Sequence, residues 1–473
     1  MKKYIILFIF KFIISFANKL PLDLEDNFFD DIYQENIQEK ALKNIKISQG
    51  RKISNLNPIL INDDYSKRFV NLVYNRLFIK DNNGEIKPSL VKEFKWLDEK
   101  NLYIELKSDI YFHNGDELEA KDIKFSLEQL KNNNLKYLFS EIMEIKILDD
   151  KKLVIKLSEE DNTFLEKLTY DVTSIVKIKG QKIYGTGKYY VKSLKNNSIV
   201  LRENKDYFEE VALVEELQFY SEIKDQKRLI SLFNERVDAV LDIDEETLEY
   251  GEKFKIIDEN SVIIEDKTVR ISVLSFGQKY RYSRAEKEDL RRVLGKEKTP
   301  FFPKELINID EREKNTKANS SKNISLKKSI DLMILNTDKN IKEAEEIKSY
   351  FKRANIELNI LPHNFESYSQ KMKNKDYDLA LYDISIVGND ILFNIAKIFL
   401  KDLEEYEVYN SLKPFFKLLK QEKTAKGREI ILKKMLGLIQ KELPYIPIKN
   451  HKDYMIISEK VERYYKEWEK KQI

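Results

Sequence analysis

The stretch IDLMILNTDKNIKEAEEIKSYFKRANIELNILPHNFESYSQKMKNKDYDLALY, residues 330–382, decides the fold class of this chain. Three short apolar runs within it predict strands, at 330–335, 356–361 and 377–382. The two segments between them carry apolar residues at helical spacing and predict helices, at 341–354 and 365–373. Strand, helix, strand, helix and strand in this order predict an α/β domain with a largely parallel sheet.

The pattern outside this stretch is also mixed. Residues 42–48 alternate at period two and predict a strand, and 65–77 predict an amphipathic helix. Strands predicted at 217–220 and 237–243 flank a helical segment, which makes a βαβ-like unit in an open twisted sheet. Residues 280–325 are highly charged and weakly patterned, so we expect a loop or linker there.

Length and charge narrow the classes of protein that this chain can be. Its 473 residues suffice for two or three packed units, and 42% apolar with 11% aromatic residues is a globular composition. Lysine and arginine number 84 against 81 acidic residues, a net charge of +3. A dedicated nucleic-acid binder would carry a segregated basic face, so we expect no nucleic-acid partner.

Cysteine is absent, which excludes disulfides, thiolate metal sites and thiol nucleophiles. The three histidines, His113, His363 and His451, are far apart in sequence, and we interpret them as packing or surface residues. No nucleophile elbow, paired-carboxylate motif or metal-ligand spacing stands out. We therefore expect no enzyme activity, catalytic residue, metal site or cofactor.

The N-terminus is typical of an export signal. Residues 1–3 are positively charged at Lys2 and Lys3, and 4–16 are an apolar run shorter than a membrane span. Ser15 and Ala17 are small residues at the two positions that a signal peptidase reads, which predicts cleavage before Asn18. The alternative is an uncleaved membrane anchor. With no cysteine to carry a lipid, the predicted location is the periplasm.

Several blocks of the chain match motifs of one known family and occur in the same order. They are NLNPILINDDYSKRFVNLVYNRLFIKDNNGEIKPSLVKEFKW (55–96), IELKSDIYFHNGDELEAKDIKFSLEQL (104–130), GTGKYYVKSL (185–194), LISLFNERVDAV (229–240), KDYDLALYD (375–383) and LPYIPI (443–448). Together they resemble the family 5 extracellular solute-binding proteins, the peptide and nickel receptors of ABC importers. The second and third blocks are the most specific.

The resemblance implies an α/β, two-lobed periplasmic-binding-protein-like fold whose lobes close over a ligand, with an extra subdomain on the first lobe. It implies the following division: signal peptide 1–17, N-terminal extension 18–40, lobe I from 41–63, 176–270 and 441–473, extra subdomain 64–175, and lobe II 271–440. The implied partners of a monomeric receptor are a peptide or other small solute and the permease subunits of the transporter.

The resemblance also points to candidate ligand-binding residues. Gly185, Thr186 and Gly187 would line the cleft, although backbone geometry is their first role. In the second lobe, Phe276 ends the entry strand but is followed by glycine where relatives have asparagine. Arg291, beside Arg292, lies where the family has basic residues near the cleft and is a candidate for a ligand carboxylate.

The acid with which relatives pair a peptide's α-ammonium is displaced in this sequence. An ungapped alignment puts Val387 at that position, so Asp383 or Asp390 would take the role only after a shift. Asp390 is equally a candidate helix cap, because it precedes an apolar helical run. A buried ammonium needs a paired acid, since its desolvation otherwise costs several kcal/mol.

The predicted function is therefore a receptor that captures peptides between two lobes and delivers them to an ABC importer. One alternative is a non-peptide ligand: chelated nickel, haem or a sugar fragment. Another is a degenerate relative with a scaffold or chaperone role, which the compressed second lobe favours.

Overall fold

The structure, a computed structural model, describes residues 42–53, 55–60, 64–81, 84–130, 136–195, 197–209, 212, 214–257, 261–265, 269–296, 326–386, 391–399, 407–459 and 461–462. The signal peptide and extension predicted over 1–40, and Asp390, lie outside these residues. The chain divides into two compact units, unit 1 (Met1–Asp266 with Asp453–Ile473) and unit 2 (Lys267–Lys452).

The strands of the described residues are β1 Leu42–Gln49, β2 Phe78–Lys80, β3 Ile86–Pro88, β4 Val91–Asp98, β5 Asn101–Leu106, β6 Ile142–Ile147, β7 Lys152–Leu157, β8 Lys177–Lys179, β9 Lys182–Tyr184, β10 Tyr189–Lys195, β11 Ser198–Glu203, β12 Val214–Ser221, β13 Ala239–Asp244, β14 Val262–Glu265, β15 Val269–Phe276, β16 Ser329–Leu335, β17 Glu357–His363, β18 Leu379–Ile386, β19 Tyr445–His451 and β20 Asp453–Ile457.

The α-helices are α1 Asp64–Val73, α2 Ala120–Gln129, α3 Phe164–Lys167, α4 Asp225–Phe233, α5 Glu245–Lys253, α6 Arg284–Val293, α7 Asp338–Arg353, α8 Phe365–Asn374, α9 Ile391–Phe399, α10 Glu407–Gln421 and α11 Ala425–Glu442. Short 3-10 turns lie at Lys136–Leu138 and Asp171–Thr173. Among the described residues, no helix combines the length and hydropathy needed to cross a membrane.

Unit 1 is built on a seven-stranded sheet in the order β10-β11-β12-β1-β13-β20-β14. Strand β1 is central and pairs in parallel with β12 and with β13. The predicted βαβ-like unit is confirmed, because β12, α4 and β13 follow one another and the two strands lie on either side of β1. On one apolar face of the seven-stranded sheet, Phe69 of α1 packs against Phe219 of β12, with ring centroids 4.7 Å apart.

A smaller antiparallel sheet, β4-β5-β7-β6, occupies the region that the resemblance assigned to the extra subdomain. On one face of this sheet, alternate residues of β5 and β7 are fully buried: Leu102, Ile104, Leu153 and Ile155. This period-two burial is the pattern expected of a sheet with one covered face. The chain turns at Asn114-Gly115, where Gly115 has a φ of 85°.

Unit 2 contains a five-stranded sheet in the order β17-β16-β18-β15-β19. The predicted succession β16, α7, β17, α8, β18 is confirmed, and these strands run parallel. The expectation of a largely parallel sheet is only half right, because β15 runs antiparallel to both β18 and β19. Strands β15 and β19 are the first and last strands of unit 2 along the chain, so no crossover helix constrains their direction.

Two other expectations need correction. The segment interpreted as a loop contains helix α6, which starts at a capping box formed by Ser283 and Glu286. The S-x-x-E spacing is a sequence signature of a helix start. The high density of charged residues obscured it, and the segment was interpreted as a loop. Strand β19, which the division above placed in lobe I, pairs with β15, so the chain leaves unit 2 only after Lys452.

Candidate functional site

Polar side chains collect near the carboxyl ends of β16 and β18 in unit 2. We call this set the Ser272 cluster; it comprises Arg270, Ser272, Lys339, Glu343, Asp383 and His451. Ser272 lies opposite Asp383 in the β15–β18 register, and α7, which follows β16 directly, supplies Lys339 and Glu343. In sheets of this type, carboxyl ends of parallel strands are where functional side chains gather.

The Ser272 hydroxyl is the centre of the cluster and has no exposed surface. Its Oγ lies 2.8 Å from Asp383 Oδ1, 3.0 Å from Glu343 Oε2 and 2.6 Å from His451 Nε2. A serine hydroxyl has one proton to donate and two lone pairs with which to accept. Three partners therefore use its full capacity, and only one of them can receive its proton.

Asp383 is ionised in this setting. Burial alone would raise its pKa, but the charges of Lys339 and Arg270 outweigh burial and hold the pKa of Asp383 well below its usual range. Its Oδ2 lies 3.4 Å from Lys339 Nζ and 3.5 Å from Arg270 Nη1. An ionised carboxylate only accepts hydrogen bonds, so Asp383 is an acceptor for the Ser272 proton.

Glu343 is the second acid of the cluster and is only 7% exposed. Burial, and then the negative charge of Asp383, raise the pKa of Glu343 from 4.5 to about 7. Glu343 Oε2 lies 3.0 Å from the Ser272 hydroxyl and competes with Asp383 Oδ1 for its single proton. The other oxygen of Glu343, Oε1, is buried without a hydrogen-bond partner in the described structure, which a neutral carboxyl tolerates better than a charged one.

His451 completes the network as a neutral side chain. Burial, followed by the charge of Lys339, lowers the pKa of His451 to about 3. Neutral histidine can donate from only one ring nitrogen, and Ser272 Oγ has a lone pair left to accept. The network thus assigns the proton of His451 to Nε2.

The close pair of Ser272 and His451 is not arranged as a serine nucleophile and its base. A base must accept the serine proton, whereas here the carboxylate of Asp383 lies 2.8 Å from the same hydroxyl and competes for that proton. The hydroxyl is also inaccessible to a substrate, since Ser272 is fully buried. Within the described residues, no group of three acidic or histidine side chains could hold a metal ion. The hydrogen bond between Ser272 and Glu343 ties α7 to the sheet.

Of the candidate ligand-binding residues that the structure describes, only Asp383 lies in this cluster, together with His451, which the sequence analysis interpreted as a packing or surface residue. Two cations of the chain and one hydroxyl already satisfy the carboxylate of Asp383, so a ligand ammonium would have to displace one of them. The role proposed for Asp383 in ligand binding stays a prediction, as does that of Asp390.

Phe276 lies elsewhere on β15, four residues or about 13 Å along the strand from Ser272. Its ring packs 5.4 Å from that of Tyr282, and Lys287 Nζ lies 4.8 Å from its centroid. The glycine that follows it has a packing reason. A Cβ at Gly277 would stand 1.7 Å from the carbonyl oxygen of Tyr377.

Arg291 is also away from the cluster, on α6. Its Nε and Nη2 donate to the carbonyl oxygen of Lys296 over 3.3 and 3.1 Å, and the side chain is largely buried. Its neighbour Arg292 pairs with Asp289 one turn earlier on the helix. These contacts close the C-terminal end of α6.

The segment Gly185-Thr186-Gly187 packs against the end of α1 in unit 1. A Cβ at Gly185 would lie 2.0 Å from the carbonyl oxygen of Val73, and one at Gly187 would lie 2.4 Å from the Val73 carbonyl carbon. The Thr186 side chain is fully buried and donates to Asn75 Oδ1 over 3.0 Å. Close backbone approach thus accounts for both glycines.

His113 supports the same segment. Burial lowers its pKa to about 4, so it is neutral, and Nε2 donates to the Gly187 carbonyl over 2.9 Å. Its own backbone N–H donates to the Gly185 carbonyl over 2.9 Å. The structural role expected for this histidine agrees with these contacts.

Sequence reasoning missed most of the Ser272 cluster, although one sign of it was present. The buried stripe of α7 runs through Ala344, Ile347 and Phe351, and Glu343 lies four residues before Ile347 on the same stripe. A carboxyl at a core position of an amphipathic helix is a candidate for a perturbed pKa.

The comparisons with known proteins agree with this architecture. The family model for bacterial extracellular solute-binding proteins, family 5 (middle) matches residues 85–305. The nickel-binding protein NikA of Staphylococcus aureus is 30% identical over 177 residues, which is 35% of each chain. The glutathione-binding protein GsiB of Salmonella typhi is 25% identical over 150 residues, 31% of this chain and 29% of its own. The alignments thus span about a third of these relatives.

Solved structures match over a longer range. The periplasmic binding protein DppA of Helicobacter pylori, in complex with the peptide STSA, has a TM-score of 0.73 at 17% identity, covering 88% of this chain and 94% of its own. NikA of Staphylococcus aureus with Ni(L-His)2 has a TM-score of 0.69 at 19% identity, covering 88% and 95%. The fold is that of the two-lobed periplasmic binding proteins, and residues 85–305 match the family 5 extracellular solute-binding proteins.

Proposed function

We propose that this protein is an exported receptor that captures small peptides and delivers them to the permease subunits of an ABC importer. The observation that carries the proposal is the family match over residues 85–305, joined to a fold match that extends through both units. Two of the matched structures hold peptides, STSA in DppA of Helicobacter pylori and Met-Leu in a dipeptide-binding protein of Pseudoalteromonas.

A second candidate ligand is a nickel–histidine complex. It is favoured by the 30% identity with NikA of Staphylococcus aureus and by the match to its Ni(L-His)2 complex. Because no three ligating side chains group together among the described residues, the metal would arrive already chelated. A carboxylate-bearing chelate and a peptide each carry an anionic carboxylate group. Binding of a carboxylate therefore does not distinguish the two candidates, and each needs its own probe.

Native mass spectrometry of the protein purified from its own cells tests the proposal. We expect a monomer whose mature chain begins at Asn18 and carries adducts with peptide masses. Di- to pentapeptides should raise the melting temperature, whereas Ni²⁺ with L-histidine should not. Stabilisation by nickel–histidine alone would replace the peptide proposal with the second candidate, and stabilisation by neither would favour a scaffold role.

A further inference from the structure

The seven-stranded sheet of unit 1 has a topological switch point between β1 and β12. The chain leaving β1 enters α1, whose Phe69 and Val73 pack with Ile47 on one face of the sheet. The chain leaving β12 enters α4, whose Leu229 packs with Val240 on the other face. Where neighbouring parallel strands send the chain to opposite faces, a crevice opens at their carboxyl ends, and ligands of open α/β sheets bind there.

Arg51 lies at this switch point. Its carbonyl oxygen accepts hydrogen bonds from Gln49 Nε2 over 2.8 Å and from Ser221 Oγ over 3.1 Å, so it joins the carboxyl ends of β1 and β12. Its side chain is exposed, and its guanidinium carbon lies 5.7 Å from the centroid of the Tyr65 ring. The backbone is therefore fixed, while the charged group stays accessible.

The charges around Arg51 do not cancel its own. Arg68 contacts the same Tyr65 ring, at 5.4 Å, but its charge is matched by a two-pronged ion pair with Asp242. Burial would raise the pKa of Asp242, yet the charge of Arg68 holds it well below its usual range. Arg51 has no carboxylate within ion-pair distance in the part of the chain that the structure describes.

The backbone beside this switch point is held in an unusual conformation at Asp242. Asp242 has a φ of 60°, in the left-handed region that non-glycine residues seldom adopt, and its Oδ2 accepts from the Gly50 N–H over 2.9 Å. The buried guanidinium of Arg228 donates to the carbonyl oxygens of Asp242, over 2.6 Å, and Glu222, over 2.6 Å. Backbone held in sparsely populated conformations clusters at ligand-binding sites.

We infer that Arg51 is a subsite for a carboxylate group of the ligand, which for a peptide is its C-terminus. The Arg51 guanidinium carbon lies 5.7 Å from the Tyr65 ring, and its N–H groups can make a bidentate contact with a carboxylate. A bound carboxylate would neutralise the charge of Arg51, as Asp242 already neutralises that of Arg68. This inference rests on the proposed function and assigns the part of the peptide that unit 1 recognises.

Two matched peptide libraries test the inference. Di- to pentapeptides with free C-terminal carboxylates, and the same peptides with C-terminal amides, are titrated against wild type, Arg51→Gln and Lys52→Gln. We expect wild type to bind the carboxylate library roughly tenfold or more tightly than the amide library, as a charge-assisted contact would produce. Arg51→Gln should lose that preference, and Lys52→Gln should keep it, although both remove one exposed positive charge.

The outcomes separate the two proposals. Equal binding of both libraries by wild type, or a preference that survives in Arg51→Gln, overturns the carboxylate subsite while the peptide receptor stands. If neither library binds wild type, the peptide proposal fails and the subsite falls with it. Unchanged circular dichroism of Arg51→Gln shows that the exposed substitution leaves the fold intact.

Discussion

The carboxyl ends of the two main sheets contain similar residues but balance their charges differently. At this end of the unit 1 sheet, Arg68 pairs with Asp242, and Arg228 pairs with Asp225 while also donating to backbone carbonyls. In unit 2, two acids share one hydroxyl at Ser272. The charge of Arg68 holds the pKa of Asp242 below its usual range, whereas burial and the charge of Asp383 raise the pKa of Glu343.

The difference shows that the number of donors decides which sheet is sensitive to pH. Asp242 and Asp383 both have a pKa far below the usual range, because cations outweigh their burial. Glu343 is also buried, but the charges of Lys339 and Lys449 and the Ser272 hydrogen bond offset its burial only in part, and its pKa rises to about 7. The residue type is nearly the same, and the partners make the difference.

Arg228 offers the most severe way to break the arrangement in unit 1. It is 1% exposed, pairs with Asp225 at 2.9 Å and donates to four backbone carbonyls. Arg228→Gln should lower the free energy of unfolding by about 3–5 kcal/mol, because it leaves buried groups without a donor. Urea denaturation followed by circular dichroism measures this loss. The exposed Arg236→Gln is the matched control and should change stability by less than about 0.5 kcal/mol.

Glu343→Gln should remove a pH dependence that belongs to unit 2. The folded protein keeps the Glu343 proton up to a pKa of about 7, whereas the unfolded chain releases it near 4.5. Since the native state binds the extra proton in that window, this group lowers the free energy of unfolding as pH rises from about 4.5 to about 7. Each pKa unit corresponds to about 1.4 kcal/mol. As pH rises from about 4.5 to about 7, the free energy of unfolding of wild type should therefore fall by roughly 3 kcal/mol relative to that of the variant.

His451 acts with the opposite sign and makes the measurement specific. Its pKa is lowered from 6.5 to about 3, so it raises the free energy of unfolding as pH increases between those values. Unfolding of wild type and Glu343→Gln in urea at about pH 4.5 and about pH 7.5 isolates the glutamate. Glu346→Gln, an exposed position on the same helix, is the control. A constant offset between wild type and Glu343→Gln at all pH values would contradict the assigned proton.

Ser272→Ala tests whether one hydroxyl organises the cluster. Removing it deprives Asp383, Glu343 and His451 of a shared partner, and we expect a loss of about 2–3 kcal/mol in the free energy of unfolding. Ser275 is the matched control, since it is buried on the same strand and bonds to the Tyr377 hydroxyl over 3.0 Å. Ser275→Ala should cost about 1 kcal/mol. Equal losses in the two variants would mean that Ser272 is an ordinary buried serine.

Gly50→Ala should have the smallest effect. A Cβ there would lie 3.4 Å from Asp242 Oδ2 and from the Tyr65 ring, close to an ordinary contact, so we expect a change below about 1 kcal/mol. At Gly187 the same substitution meets the backbone of Val73 at 2.4 Å and should cost about 3 kcal/mol or more. Thermal melts of the two variants compare them directly. A loss at Gly50 as large as at Gly187 would show that the crevice cannot accommodate even a methyl group.

Regular elements with a clear period were predictable from the sequence. Strand β1, helix α7 and the succession β12, α4, β13 appear where the apolar spacing indicated them, because that spacing reflects burial of one face of each element. Helix α6 was missed because its charged residues resembled a linker, although Ser283 and Glu286 marked its start. The direction of β15 was not predictable, since strand pairing depends on residues more than a hundred positions away.

The candidate site was predictable only at Asp383. Ser272 and His451 are separated by 179 positions and meet because β15 and β19 are neighbours in one sheet. Gly277 looked like a departure from the family pattern, and the structure explains it by the close carbonyl of Tyr377. Nothing in the local sequence reports such contacts, because they arise when distant strands pair.

The sequence by itself indicated the family resemblance, the α/β class and most of the helices and strands, since these follow from local periodicity and ordered motifs. Tertiary structure alone decided the state of the charged groups: which acid is ionised, which holds a proton, and which arginine remains without an acid in the described chain. The physical reason is that a pKa depends on burial and on the charges nearby, and both are set by pairings such as Arg68 with Asp242, 174 positions apart.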